Sequence, residues 1–272
     1  MENILFFFAG FPVYSYGFML GLGLVLGTYL AQREAKRRGI GSDFVFQFIV
    51  KTALVFIVVG RIGFVFSVHG WRMLLYPWVL FSGCHLDETR GLMGMSIYLL
   101  YFLVRHVENP AAFLDVLAAP VALMQSLAYL GSSVLGRETN VAWGIDLGEF
   151  SLHPLPLYSA FAFYVLYTIL WRTRRSLRYD GQLFLGYLTL SAAIRRFLMS
   201  FEEVLGESTN PWLYTFAAVV FGLAWLYVYL RSPFPDTRQR RYASDWQSWL
   251  IYLASLLFVG LIMTKFFYWR FS

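Results

Sequence analysis

Cysteine is almost missing from these 272 residues. Cys84 stands alone, which excludes an internal disulfide framework and any metal site built on several thiolates. It reads as a small apolar filler. Charge is scarce too: charged residues make up 14% of the chain against 58% hydrophobic and 20% aromatic, a balance that excludes a soluble domain of this length. The opening "MENILFFFAGF" lacks the basic leader and small-residue cleavage site of a signal peptide, so the first apolar helix is expected to be kept as an anchor. The residue pattern calls for no cofactor and no metal.

What the chain does have is long apolar runs. Crossing the hydrocarbon takes about 20 mostly apolar residues per helix, and roughly eight candidates lie near 13–32, 46–68, 91–105, 111–135, 155–171, 183–203, 212–230 and 248–268. The fold class is therefore an all-α, polytopic integral membrane protein. Basic residues gather after alternate helices, in "REAKRR", at Arg105, in "RTRRSLR" and in "RSPFPDTRQRR". Positive loops stay inside, and an even number of spans then puts both termini outside. The net charge of +6 follows from this topology and gives no reason to invoke nucleic acid.

No soluble domain fits between the helices; the longest polar segments are Gly70–Arg90, Gly136–Pro154 and Arg231–Asp245. Residues 1–232 read as one membrane domain. Residues 233–272 read as a basic linker and an additional helix ending in "FFYWRF", where aromatics and Arg suit an interface and the span offers a surface for a membrane-protein partner. Glycines in "YGFMLGLGLVLG" and "VVGRIG" permit close helix contact.

Arginines inside or beside the spans are the most informative letters, because a charge near the bilayer centre costs about 2.5–3.5 kcal/mol on insertion scales. Arg61, Arg90, Arg137, Arg195 and Arg196 all fall toward the outer side, where few acidic residues share their depth: Asp87, Glu88 and Glu138 near the rim, Glu202 and Glu203 after the sixth helix. A guanidinium fork matches a phosphate, so an anionic phospholipid headgroup is the candidate ligand, with pairing to carboxylates or backbone carbonyls as the alternative. In "SGCHLDETRG", His85 beside Asp87 fits a general base with an orienting carboxylate; a solvated loop with an N-cap at Thr89 explains the same letters. His153-Pro154 marks re-entry into the membrane, and the histidine fits a structural hydrogen-bonder. The stretch "ALMQSLAYLGSSVLGRETNVAWGI" starts as a membrane helix and ends in a polar turn with a Trp143 that looks buried.

Taken in order, "YSYGFMLG" with "AQREAKRRG", "VVGRIGFVF", "RGLMG", "LGRETNVAWGI", "HPLPLY", "GQLFLGYL" and "IRRFL" resemble the prolipoprotein diacylglyceryl transferases over nearly residues 10–230. The resemblance implies a seven-helix core with the N terminus outside, transfer of diacylglyceryl from phosphatidylglycerol to a lipoprotein-precursor cysteine, and a bacterial inner-membrane location. By register with the family, Arg196 matches the sixth-helix arginine, Tyr16 the first-helix tyrosine, and His153 and Tyr158 the opening of the fifth helix. The family's signature helix reads approximately G-R-x-G-N-F-x-N-x-E-x-x-G-R; here "MQSLAYLGSSVLGR" keeps only the closing Gly136-Arg137. Gln125 stands for the arginine, Ala128 and Gly131 for the asparagines and Ser133 for the glutamate. Thr89 and Arg90 replace the histidine and first glycine of H-G-G-L-x-G, and Ala192 and Ser200 replace the tyrosine and glutamate flanking the sixth-helix arginine.

Two functions follow. One is a catalytically degenerate relative that keeps a lipid-phosphate site from Arg196, Arg137, Arg61, Arg90 and Tyr16, with His153 and Tyr158 shaping the cavity, and acts as a membrane subunit, scaffold or lipid handler. The other is an active transferase with a rearranged site, His85 serving as base and Arg90 supplying positive charge. A transporter is disfavoured, since no inverted repeat is evident and the intramembrane charges sit at one depth.

Overall fold

The computed structural model describes residues 4–8, 10–71, 86–146, 148, 150–202, 210–232 and 246–271; Cys84, His85 and Glu203 lie outside them. Among the described residues eight helices stand where the apolar runs do: α1 Ser15–Arg37, α2 Ser42–His69, α3 Glu88–His106, α4 Pro110–Gly131, α5 Leu155–Thr173, α6 Gln182–Leu198, α7 Pro211–Arg231 and α8 Trp246–Phe271. A 3₁₀ turn, Met199–Phe201, prolongs α6. Five of them, α2, α4, α6 with its 3₁₀ turn, α7 and α8, are each long and apolar enough to cross a membrane. In the other three the apolar run is diluted, by "REAKR" at the end of α1, "ETR" at the start of α3 and three tyrosines in α5. The chain is an all-α, multi-pass membrane protein.

Helix ends differ from the hydropathy reading where local chemistry decides them. α1 runs into the basic segment because Glu34, 3% exposed, pairs with Arg37 one turn on and with Arg38 at 3.3 Å. α4 stops at Gly131, four residues early, as the chain turns into an extended polar segment. The cap of α3 is Asp87 rather than Thr89: its carboxylate accepts the Arg90 N–H at 2.9 Å.

Two hairpins escaped the sequence reading. β1 (Ile4–Phe8) and β2 (Phe11–Tyr14) pair antiparallel across a turn containing Gly10, whose φ of 84° suits glycine. β3 (Ile145–Asp146) pairs with β4 (Ser151–Leu152), and Glu138 bridges to Leu152. Strands this short carry no hydropathy period that could have announced them.

The described chain divides into two compact units, residues 31–113 and residues 1–30 with 114–272. In the smaller unit, α2 and α3 touch through small residues. A side chain on Gly94 would lie 2.8 Å from Val59, and one on Gly63 would lie 2.6 Å from Arg90. Phe48 packs at 4.7 Å from Phe102 and 5.1 Å from Phe113 by ring centroids. In the larger unit, Ala118, Ala119 and Ala122 of α4 face Phe163 and Leu166 of α5 and Leu183 of α6. Asp115 on α4, 1% exposed, accepts the Gly181 and Phe184 N–H groups at 2.9 and 3.0 Å. It thus caps α6 from a neighbouring helix, where the free N–H groups and the helix dipole favour an anion.

α8 lies antiparallel along α5. Arg172 sits 4.1 Å from the Trp249 ring, Tyr252 shares a 2.8 Å hydrogen bond with Thr168, and Gly260 faces Phe161. Near its C-terminal end, Met263 and Phe267 (0% exposed) enter a buried cluster with Leu130, Ile145 and Ala160. The final turn then does more than mark an interface. The Arg270 guanidinium donates to the Leu130 carbonyl at 3.0 Å, to Ser15 Oγ at 3.1 Å and to the Ser132 carbonyl, capping the end of α4.

Candidate functional site

In the larger unit the signature segment and its surroundings form one polar assembly. Ser15 Oγ donates to the Gly131 carbonyl at 2.8 Å, so the first turn of α1 lies on the last turn of α4. Contact there is close: a side chain at Gly131 would meet the Ser15 carbonyl at 2.7 Å, Met19 Cβ at 2.8 Å and Tyr16 Cα at 2.9 Å. Beyond Gly131 the chain runs extended beside the entry to α5. Gly136 N–H donates to the His153 carbonyl at 2.9 Å, His153 N–H to the Arg137 carbonyl at 3.0 Å, and Arg137 N–H to the Phe201 carbonyl at 2.9 Å. The last bond ties the segment to the end of α6. A side chain at Gly136 would overlap that same Phe201 carbonyl, which is why glycine stands before Arg137.

His153 is 9% exposed and lies edge-on to the Phe201 ring at 5.2 Å. Its Nδ1 is 3.3 Å from the Tyr158 hydroxyl, which accepts the Trp143 indole N–H at 2.7 Å. Burial first, and the nearby Arg137 charge second, push the imidazole pKa below its ordinary value. A neutral ring offers an acceptor nitrogen, so the Tyr158 O–H, already accepting from Trp143, is placed to donate to Nδ1. The expected structural role of His153 has this geometry. Trp143 is 58% exposed, not buried; it is held through its indole N–H, and its carbonyl accepts the Tyr268 hydroxyl of α8.

The two adjacent arginines of α6 part company. Arg195 lies 3.8 Å from Glu202 and over the Tyr129 ring at 5.5 Å. Arg196 is exposed and, among the described residues, its side chain makes no hydrogen bond or ion pair. Arg137 is also exposed, and Tyr16 is 40% exposed in the first turn of α1. Gln125, at the family's arginine position, accepts the Tyr187 hydroxyl at 2.9 Å.

In the smaller unit Arg90 is exposed but engaged by the protein, 2.9 Å from Asp87 and donating to the Gly63 carbonyl. Arg61 reaches the Phe64 ring at 5.8 Å. His85 lies outside the described residues. The structure therefore brings together Arg137, His153 and Tyr158 at the entry to α5, and sets Tyr16 against Gly131 at the end of α4. It adds Trp143, which the sequence marked as a tryptophan ending the polar turn, and Tyr268 and Arg270, for which the only sequence signal was an aromatic-rich helix end.

A family model described as prolipoprotein diacylglyceryl transferase matches residues 3–228. The chain belongs to this family. Among its relatives are phosphatidylglycerol–prolipoprotein diacylglyceryl transferases of Clostridioides difficile, 27% identical over 205 residues (73% of this chain, 82% of the relative), and of Campylobacter lari, 27% over 210 residues (71% and 77%). The Campylobacter jejuni enzyme is 28% identical over 216 residues, covering 73% of this chain and 79% of its own. The transferase match ends within α7, so α8 lies beyond it.

Proposed function

We propose that this member of the transferase family binds anionic phospholipid in the bacterial inner membrane without transferring diacylglyceryl, and serves as a membrane subunit or lipid handler. The observation that carries the reading is the contact at Gly131. At the position where the family signature has an asparagine, backbone and side chain of α1 leave no room for any side chain. Around it Gln125 is engaged with Tyr187, Arg270 is engaged with the last carbonyls of α4, and Ala128 and Ser133 offer neither the amide nor the carboxylate of the signature. Transfer to a thiol needs a route for its proton and charge to stabilise the leaving phosphate. Among the described residues, this face of α4 offers neither the amides nor the carboxylate that the signature carries there, which supports the reading without transfer. What supports lipid binding is Arg196, an exposed guanidinium on a membrane helix, for which a lipid phosphate is the fitting partner. Residues 1–232 then form the lipid-binding membrane domain, residues 233–272 its addition, and both termini face outward.

A second reading, transfer as in the named relatives, draws on neutral His153 beside Arg137, a base next to a cation. Complementation separates the two. In a cell depleted of its transferase, this chain is expected to reach the membrane and fail to restore lipoprotein maturation. Rescue that disappears in His85→Ala or His153→Ala would establish the transferase.

A further inference from the structure

We infer that α8 and α5 together form a second phospholipid site, one acyl chain lying in the groove between the helices and the anionic headgroup meeting Arg137 at its mouth. Arg137, grouped with Arg196 on sequence grounds, serves this separate site instead, and the inference holds whether or not the chain is a transferase.

α8 is tied to α5 at one end and to α4 and the Trp143 segment at the other, and in between it packs on α5 along one side only, with Gly260 against Phe161. Arg172 with Trp249 and Thr168 with Tyr252 fix one end. Arg270 on the α4 carbonyls and Tyr268 on the Trp143 carbonyl fix the other. Between these clasps lies an apolar groove of about 340 Å³, lined by Leu157, Tyr158 and Phe161 of α5 and Leu257, Leu261 and Thr264 of α8. Gly260 lets the Phe161 ring lie close by: a side chain there would come within 3.1 Å of it.

Size and charge select the occupant. A helix with its side chains is about 10–12 Å across and does not fit this volume, whereas a single alkyl chain does. Tyr158 ties the groove to the polar assembly above it, since it lines the groove and bonds to both Trp143 and His153. Exposed Trp143, with Tyr158 and Tyr268, sets this end at the depth where aromatic belts meet headgroups. Arg137 runs beside His153 through the His153 N–H bond to its carbonyl, and its exposed side chain supplies a positive charge at that level. An apolar slot ending at a cation is complementary to an anionic phospholipid rather than to a zwitterionic one, whose headgroup carries its own cation.

The test uses the full chain reconstituted with phosphatidylglycerol or phosphatidylcholine bearing a photoreactive group in one acyl chain, with adducts mapped by mass spectrometry. Phosphatidylglycerol is expected to label the α5 and α8 segments around Phe161 and Leu257 several-fold more than phosphatidylcholine does. Leu261→Trp, which fills the groove from an exposed position, should abolish the labelling. Arg137→Gln should lower it roughly tenfold, the loss expected for one charge-assisted contact. Excess inorganic phosphate should not compete, and Arg196→Gln should leave the α5–α8 adducts unchanged. Equal labelling by the two lipids, or labelling that survives Leu261→Trp in a protein of unchanged melting temperature, would overturn the site. Loss of these adducts in Arg196→Gln would mean that the two sites are one.

Discussion

Arg195 and Arg196 are neighbours on one helix, about 100° apart around its axis, and their surroundings divide their roles. Arg195 has a carboxylate and an aromatic ring within reach; Arg196 has neither among the described residues. Arg196→Gln is therefore expected to leave the melting temperature unchanged and weaken phosphatidylglycerol binding roughly tenfold or more, measured by native mass spectrometry of the purified protein. An equal effect from Arg195→Gln alone would reverse the assignment. His153 gives a pH prediction. Its folded pKa is lowered, so between that value and the ordinary one of about 6.5 the unfolded chain binds more protons and stability rises with pH. The contribution is present above about 6.5 and lost as pH falls through the folded value. A melting-temperature series from pH 7.5 down to 5 should show less acid loss in His153→Gln than in the wild type; parallel curves would contradict this. The choice of Arg196 over Arg195 as the proposed lipid contact rests in the sequence only on register with the family, since hydropathy treats both alike. Trp143 was misread because its neighbours are apolar, while its placement is set by a hydrogen bond it donates to a residue 15 positions away and one it accepts from a residue 125 positions away in the sequence.

At the scale of elements, α4 is the pivot: it caps α6 through Asp115, takes α1 against Gly131 and is capped in turn by Arg270 of α8. Removing the Asp115 carboxylate strands two buried N–H groups, so Asp115→Ala should cost about 2–4 kcal/mol, while Asp115→Asn keeps one acceptor and should cost less. Chemical unfolding in detergent orders the three proteins, and an asparagine variant as weak as the alanine one would count against the cap. For Arg270→Ala, loosening should concentrate at the α8 C-terminal half and the α4 end, read by hydrogen exchange; uniform exchange would contradict the clasp. The eight helices were legible because about 20 apolar residues are a strong and local signal. Their caps were not, apart from residue types. Asp115 meets Gly181 across 66 positions, and no short-range pattern encodes that pairing. The glycines divide similarly: Gly23 and Gly60 lie against other helices, whereas a side chain at Gly17 or Gly21 would meet nothing beyond its own helix within 4 Å among the described residues, though all four looked alike in sequence.

For the whole molecule, the alternating basic loops lead us to propose that both ends lie on the outer side. Reporters fused at the two ends should both report from the periplasm; a cytoplasmic C-terminal signal would contradict eight crossings. The family was legible because ordered motifs survive where they hold the scaffold together, as Gly136-Arg137 does between His153 and Phe201. The closed face of α4 was legible only as missing letters; the contact that closes it needed three dimensions. That closure is the centre of the account, and one measurement meets it directly. Purified chain, reconstituted with labelled phosphatidylglycerol and a lipoprotein-precursor peptide carrying its cysteine, should retain bound phosphatidylglycerol and leave the thiol unmodified. Appearance of a diacylglyceryl thioether on that cysteine, at a rate comparable to a family transferase run alongside, would contradict it.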